Sequence, residues 1–358
     1  MDRGFGLEVE SSYGDTTVSK SSFDPDFWSQ ADSVDFKLND EPITRSGGSR
    51  MNKRARAGVM KPSGSTSADA DLQQLTWYFY GFLDNYKCTT GASPASGHTQ
   101  TYIHEYYGGE GKELPSFRGI AVFDMLKKYL YGLTCDGMSL EVSNEGMTVG
   151  AEWIYRTEKA GIIGENSETF TRPSELTGEQ IFLMFYDVSL YLGTKTVNGN
   201  VQPKELDGVS TAFKWEGKNN HNVDGTIGLG SRYPQKRAGA GKRENSLTIT
   251  TTLTSDTVHS ILDAQYGEVN ALEPTACKLI QLPLELHIDL CEDSDVGCII
   301  KFPKCTVRVE YSMSGVDSIE ATLTLDTLGS GTTKLNNNTE IETDMYVKLT
   351  NYVEALED

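Results

Sequence analysis

Apolar and polar residues alternate along several stretches of this chain, and the alternating stretches return in the same order a second time. "SVDFKLND" (33–40) and "GVSTAFKWEG" (208–217) each read as a half-buried strand, with every second side chain apolar. "CDGMSLEVSNEGMTVGAEWIYR" (135–156) and "CTVRVEYSMSGVDSIEATLTLD" (305–326) each read as a hairpin. In the second hairpin Ile319, Ala321, Leu323 and Leu325 share one face; Glu320, Thr322, Thr324 and Asp326 share the other. "ELPSFRGIAVFDM" (113–125) corresponds to "QLPLELHIDL" (281–290), and "IFLMFYDVSLYLG" (181–193) predicts the strand that opens the second copy.

Once in each copy the period changes from two to about 3.6, the spacing of a helix. Within 63–87, Leu72, Leu75, Phe79, Phe82, Leu83 and Tyr86 fall on one stripe, behind Asp69 or Asp71 as N-cap. Within 244–268, Val258, Ile261 and Leu262 form a shorter stripe after Ser255 or Asp256. Both helices are expected to cover a sheet.

Each copy therefore reads as sheet, long loop, sheet, helix and more sheet. The fold class expected is mainly β: two tandem modules of antiparallel sandwich or barrel-like sheets, each flanked by one α-helix. The polar stretch "AGIIGENSETFTRPSELTG" (160–178), with its Gly and Pro, marks the boundary. The modules expected are 1–165 and 178–358, with 166–177 as linker. "CTTGASPASGHTQ" (88–100) and the segment after 335 have no counterpart in the other copy.

Composition agrees with a folded, turn-rich β protein: 358 residues, 35 of them Gly, 37% hydrophobic and 23% charged. Charge adds something the pattern does not show. The chain carries −19, yet 45–61 holds six Lys/Arg and no acid, and 232–243 holds five and no acid. Setting those eleven positive charges aside leaves −30 on the remainder. Such a body repels a polyanion and attracts a basic surface. The two basic stretches are themselves related, "GGSRMNKRARAG" (47–58) to "GLGSRYPQKRAGAG" (228–241). A solvated loop tip under no constraint would not keep SR, KRA and AG in both copies; a loop that docks on an acidic surface would.

The search for chemistry is largely negative. The five histidines form no HExxH; His98 and His104 flank "HTQTYIHEYY", which reads as a surface strand rather than a metal pair. "GAGKRE" (239–244) lacks the Gly and Ser/Thr of a phosphate loop, with Lys236 and Arg243 in those places. "CEDSDVG" (291–297) lacks the ligand spacing of a calcium loop. There is no GxSxG and no supported Cys/His pair, so neither an enzyme, a metal nor a cofactor is expected. Trp153, Tyr155 and Trp215 could form a sugar platform, but core packing explains them more simply. The opening "MDRGFGLEVE" has no apolar h-region, and "IFLMFYDV" is too short to span a bilayer. Cytosolic synthesis is therefore expected, with Cys88, Cys135, Cys277, Cys291, Cys298 and Cys305 mostly reduced; a disulfide within 277–305 is the alternative.

Several pieces together resemble the tail tube proteins of long-tailed bacteriophages, in the form with two modules per chain. They are "GFGLEVESSYG" (4–14), "SR…G…SGS" (49–65), "LPSF" (114–117), "YGLTCDGMSLEVS" (131–143) and "IIKFPKCTV" (299–307), in an order and spacing that span most of the chain. The resemblance implies a structural virion protein made in the host cytoplasm. Its subunits join edge to edge into rings, and the rings stack into a hollow tube that conducts DNA during genome ejection. Two modules per chain imply trimeric rings with pseudo-sixfold symmetry, with a hexamer as the alternative. Six modules of about four strands close a barrel of about 24, wide enough for a channel. The implied partners are further copies of the chain, a tape measure protein, distal tail and terminator proteins, and double-stranded DNA in transit without tight binding.

The resemblance also implies roles for residues. The loops at 45–64 and 228–244 become stacking arms, laying Arg45, Arg50, Lys53, Arg54, Arg56 and Lys61, or Arg232, Lys236, Arg237, Lys242 and Arg243, on the next ring. Gly47, Gly48, Gly58, Gly239 and Gly241 permit their bends. Glu141, Glu152, Glu310, Glu320 and Asp326 line the lumen, where carboxylates keep DNA from sticking. The rival readings are another tail or baseplate ring component, distal or terminator-like, and a carbohydrate-binding β domain.

Overall fold

The computed structural model describes residues 3–17, 27–29, 31–40, 42–45, 54–94, 100–109, 113–163, 182–197, 199–206, 210–253, 255–266, 273, 280–290, 293, 295–313 and 319–356. In chain order, β1 (Arg3–Val9), β2 (Phe27–Ser29) and β3 (Ser33–Lys37) lead to a small ribbon of β4 (Ile43–Arg45) and β5 (Arg54–Arg56). Then come β6 (Ser63–Asp69), α1 (Leu72–Phe82), the hairpin β7 (Asn85–Thr90) and β8 (Tyr102–Tyr107), β9 (Phe117–Phe123), β10 (Leu126–Ser143), β11 (Gly146–Ile154) and β12 (Thr157–Ile162). The second half holds β13 (Val188–Val197), β14 (Asn200–Glu205), β15 (Ser210–Lys218), β16 (Glu244–Thr252), α2 (Ser255–Tyr266), β17 (Gln281–Asp289), β18 (Gly297–Met313) and β19 (Ile319–Thr327). A short hairpin of β20 (Thr332–Lys334) and β21 (Glu340–Glu342) precedes β22 (Tyr346–Asn351). The fold is mainly β, with two helices and large antiparallel sheets.

The same order of pairings occurs twice. In the first half β3 pairs β6, β6 pairs β11 and β11 pairs β10. In the second, β15 pairs β16, β16 pairs β19 and β19 pairs β18. β10 and β15 pair with each other, so the two sets form one run of eight antiparallel strands. β10 and β18 are long because each serves two sheets. The first part of β10 pairs β9 and β12, and past an irregularity at Cys135/Gly137 it pairs β11 and β15. β18 pairs β17 and β22 first and β19 afterwards. β22, in the segment that has no sequence counterpart, thus takes beside β18 the place β12 takes beside β10. The insertion around 88–100 is the β7–β8 hairpin, and β8 pairs β22, so a first-half hairpin extends a second-half sheet.

Asp71 caps α1, accepting from the amides of Gln73 and Gln74 at 2.7 and 3.2 Å. Every residue of α1 is buried, as expected of a helix enclosed on all sides rather than lying on a surface. Trp215 of β15 reaches beneath it, with ring centroids 5.4 Å from Phe82 and 6.3 Å from Phe79. One cluster of buried side chains runs from Phe5 to Tyr352, so the two halves share a core. Gly217 makes the approach feasible: a Cβ there would sit 2.4 Å from the Phe82 ring.

Three local expectations need correction. Tyr86, placed on the helical stripe, lies on β7, because the chain turns extended at Leu83. The strand expected from 181 starts at Val188; Phe185–Asp187 form a 3₁₀ turn, with the Asp187 carboxylate accepting from the Met184 amide at 3.0 Å. β8 is not a surface strand, for it lies between β7 and β22 and buries His104, Glu105 and Tyr106.

Candidate functional site

Strict alternation over the eight-stranded run sends one set of side chains to the core and the other to solvent. Register fixes which is which. Leu140 faces Val149 and Trp215 on the buried side, so Glu141, one residue on, faces Thr148 and Lys214 on the polar side. Glu152 lies opposite Gly137 and Ser65, Glu310 opposite Thr322, Glu320 opposite Ser312 and Thr252, and Asp326 opposite Thr306 and Ser246. All five carboxylates singled out from the sequence therefore share one face. Asp35, Asp69, Glu216 and Glu244 join them there, placed by the same alternation along β3, β6, β15 and β16. Serine and threonine fill most of the rest: Ser63, Ser65 and Ser67 on β6, Thr248 and Thr250 on β16, Thr322 and Thr324 on β19.

Four cations sit on this face, and each has a carboxylate. Lys214 meets Glu216 at 2.8 Å, Arg308 meets Asp326 at 2.6 Å, Lys218 reaches Glu152 at 3.9 Å, and Lys37 pairs with Asp35. The hydrogen bond that Lys214 donates to Glu216, and then the charge of Glu216, raise the Lys214 ammonium above its ordinary value, with a smaller push from Glu141. The face is thus hydroxyl-rich and net acidic. A shallow groove of about 320 Å³ runs along it between Ser65, Ser139, Glu152 and Glu216.

The basic loops leave this sheet at its two corresponding turns, after β3 and after β15, and then differ. In the first, β4 and β5 pair as a ribbon on which Ile43 and Arg56 are exposed. Arg45 and Arg54 face each other in its register. Arg50, Lys53, Gly47 and Gly48 lie outside the described residues. Lys61, at the base, pairs with Asp224 of the second loop at 2.5 Å.

The second loop folds onto the body. Arg232 donates to the Gly58 carbonyl at 3.0 Å and to Asp40 at 2.9 Å, and its own carbonyl accepts from the Met60 amide, so it grips the base of the ribbon. Arg237 donates to the Leu114 carbonyl and, at 2.9 Å, to Ser116, and its guanidinium lies over the Tyr13 ring. Arg243 reaches Asp84 at 2.7 Å and Asp344 at 3.3 Å, with all three side chains largely buried. Lys236 and Lys242 remain exposed. Gly58, Gly239 and Gly241 do not use the left-handed region; Gly230 does, at φ 87°. Gly241 instead allows contact, since a Cβ there would meet the Asn220 carbonyl at 2.4 Å.

The resemblance motifs at 4–14 and 131–143 meet inside the fold. The Glu10 carboxylate accepts from the amides of Gly14 at 2.8 Å and Gly132 at 2.9 Å. Gly132 has φ 69°, a conformation other residues adopt at a cost.

Other chemistry finds no support among the described residues. No three His, Cys, Asp or Glu are placed to hold a metal ion. Cys88, Cys135, Cys298 and Cys305 are free thiols; Cys277 and Cys291 are not described. Burial raises the Cys305 thiol to about 12 and pushes Cys135 and Cys298 up as well, which leaves these three poor nucleophiles. Trp153, Tyr155 and Trp215 are core residues, at most 2% exposed, and offer no sugar platform. Among known proteins, no family model matches the chain, and neither does any curated sequence.

Proposed function

We propose that this chain is a structural protein of a bacteriophage tail, and that copies of it form stacked rings enclosing an acidic lumen through which DNA passes. The observation that carries the reading is the eight-stranded run built from two like sets of four, with one face apolar and covered except at the β18 edge and the other hydroxyl-rich and acidic. Three chains then supply about 24 strands, a barrel wide enough for an aqueous channel. Duplex DNA presents about one charge per 1.7 Å. A wall whose cations are already tied to carboxylates offers it no strong attachment and lets it slide. The lumen residues proposed are Glu141, Glu152, Glu310, Glu320 and Asp326.

The stacking arm in this reading is the first loop, whose described ribbon exposes Arg56 and whose cations an acidic neighbouring ring would attract. Arg232, Arg237 and Arg243 brace the arm and the body from within, while Lys236 and Lys242 are left to contact the next ring. A tape measure protein would occupy the lumen before ejection, and distal and terminator proteins would close the ends. Nothing in this function requires a cofactor or a catalytic group.

Negative-stain microscopy of the purified protein tests the proposal. Long hollow tubes are expected, built from rings with threefold symmetry. Isolated rings that never stack would favour a distal or terminator component instead, and monomers at all concentrations would sink both readings.

A further inference from the structure

The eight-stranded run has two ends. Among the described residues β3 pairs only β6, and past Thr306 β18 pairs only β19. Inside the chain the equivalents of these two edges are already joined, for β10 occupies the place of β18 and β15 the place of β3. The internal seam is therefore a template for the open edges, and it has a definite register: Met138 opposite Gly217, Ser139 opposite Glu216, Leu140 opposite Trp215, Glu141 opposite Lys214.

The pairing ladders carry that register across once Cys135 and Cys305, where each long strand changes partners, are matched: Cys135 faces Trp153 as Cys305 faces Thr327. Leu140 faces Val149 as Val309 faces Leu323, and Met138 faces Ala151 as Val307 faces Leu325. Thr66 faces Ala151 and Val34 as Leu247 faces Leu325 and Trp215. Val34 is thus the counterpart of Trp215, and Val309 that of Leu140. We infer that β18 of one copy pairs antiparallel with β3 of the next, Val307 opposite Phe36, Arg308 opposite Asp35, Val309 opposite Val34 and Glu310 opposite Ser33. This rests on the tube reading for the closure of the ring, and adds to it the two edges and their register.

Two observations support the pairing independently of the ladders. The first is what the edges expose. Leu140 and Val142 are covered by the second half, whereas on the equivalent stripe of β18 Tyr311 is 46% and Met313 74% exposed, with Ile319 beside them at 43%. A stripe that is core in one half and bare in the other lacks its cover, and a second copy supplies it. The second is charge. Across the internal seam Glu141 faces Lys214, opposite in sign. Across the inferred seam Arg308 faces Asp35, both more than half exposed in the single chain, which again sets opposite charges together. Because one edge meets a different edge, the contact is heterologous and generates a ring when the rotation closes.

The test is a cross-link. Arg308→Cys with Asp35→Cys places two thiols on the same face of adjacent strands, and mild oxidation of the assembled protein should yield covalent species that stop at three chains on a denaturing gel. Arg308→Cys with Val34→Cys puts them on opposite faces and should stay monomeric. Arg308→Asp or Asp35→Arg alone should abolish rings, and the two together should restore them, which separates pairing from misfolding. Tubes that form without the cross-link, or that cross-link equally in both thiol pairs, would overturn the register and leave the tube reading standing. Protein that stays folded and monomeric would overturn both.

Discussion

The two basic loops start from nearly the same residues and end in different surroundings. Arg56 stands on an exposed ribbon, whereas Arg243 is inserted between Asp84 and Asp344. Arg232 holds the ribbon of the first loop through Gly58 and Asp40. The difference lies in what each loop finds next to it. The second lies beside the seam, where Asp84 at the end of α1 and Asp344 before β22 leave two carboxylates in need of a cation. A guanidinium buried with two carboxylates resists removal, because either partner alone would be left charged in a poor solvent. The same basic letters therefore serve an exposed ribbon in one loop and a clamp in the other.

The largest effect that would sharpen this contrast is expected at the seam itself. Trp215→Ala should cost about 3–5 kcal/mol in urea unfolding, since it empties space beneath α1 and strands the Asn245 side chain that accepts its indole N–H at 3.1 Å. A loss under about 1 kcal/mol would mean that the halves do not depend on each other. Arg243→Ala should follow, at about 3 kcal/mol or more, by leaving Asp84 and Asp344 unpaired. Arg56→Ala, on the exposed ribbon, should change stability by less than about 0.5 kcal/mol and instead weaken tube growth, most visibly at raised salt. If both variants changed stability alike, the division of labour between the loops would be wrong.

A pH dependence probes the other tie between the halves. The buried His104 ring accepts from Tyr86 at Nδ1 and donates from Nε2 to the Val353 carbonyl, at 3.0 and 2.9 Å, so it is held neutral. Burial pulls its pKa from 6.5 down to about 4. The fold binds this proton less readily than the unfolded chain does. Its contribution is therefore whole above about pH 6.5 and is lost as pH falls towards 4, up to about 3 kcal/mol in all. His104→Gln should flatten that part of the stability profile; an unchanged slope would assign it to other groups. A smaller effect is expected at the helix start, where Asp71→Ala should cost about 1 kcal/mol through loss of the cap to Gln73 and Gln74.

Much of the polar face was legible beforehand. Glu141, Glu152, Glu310, Glu320 and Asp326 fell on one side because alternation is a local rule and the hairpin turns keep it in phase. The extra acids on β3, β6, β15 and β16 were equally available to that rule. The fate of Arg237 and Arg243 was not, since their partners Ser116, Asp84 and Asp344 lie about 100 residues away or more. His104 misled for the same reason: β22, from the far end of the chain, pairs with a segment whose own pattern suits a surface.

By itself the sequence determined the strands and helices, the twofold order of the elements and the acidic character of one sheet face, because periodicity and capping act within a few residues. Only the tertiary structure decided that β15 docks on β10, that β8 and β22 join the halves, and that Arg56 of one basic loop is exposed while Arg243 of the other is clamped between two carboxylates. Those outcomes depend on burial and on which charge lies nearest in space, and neither quantity is defined until the chain has folded.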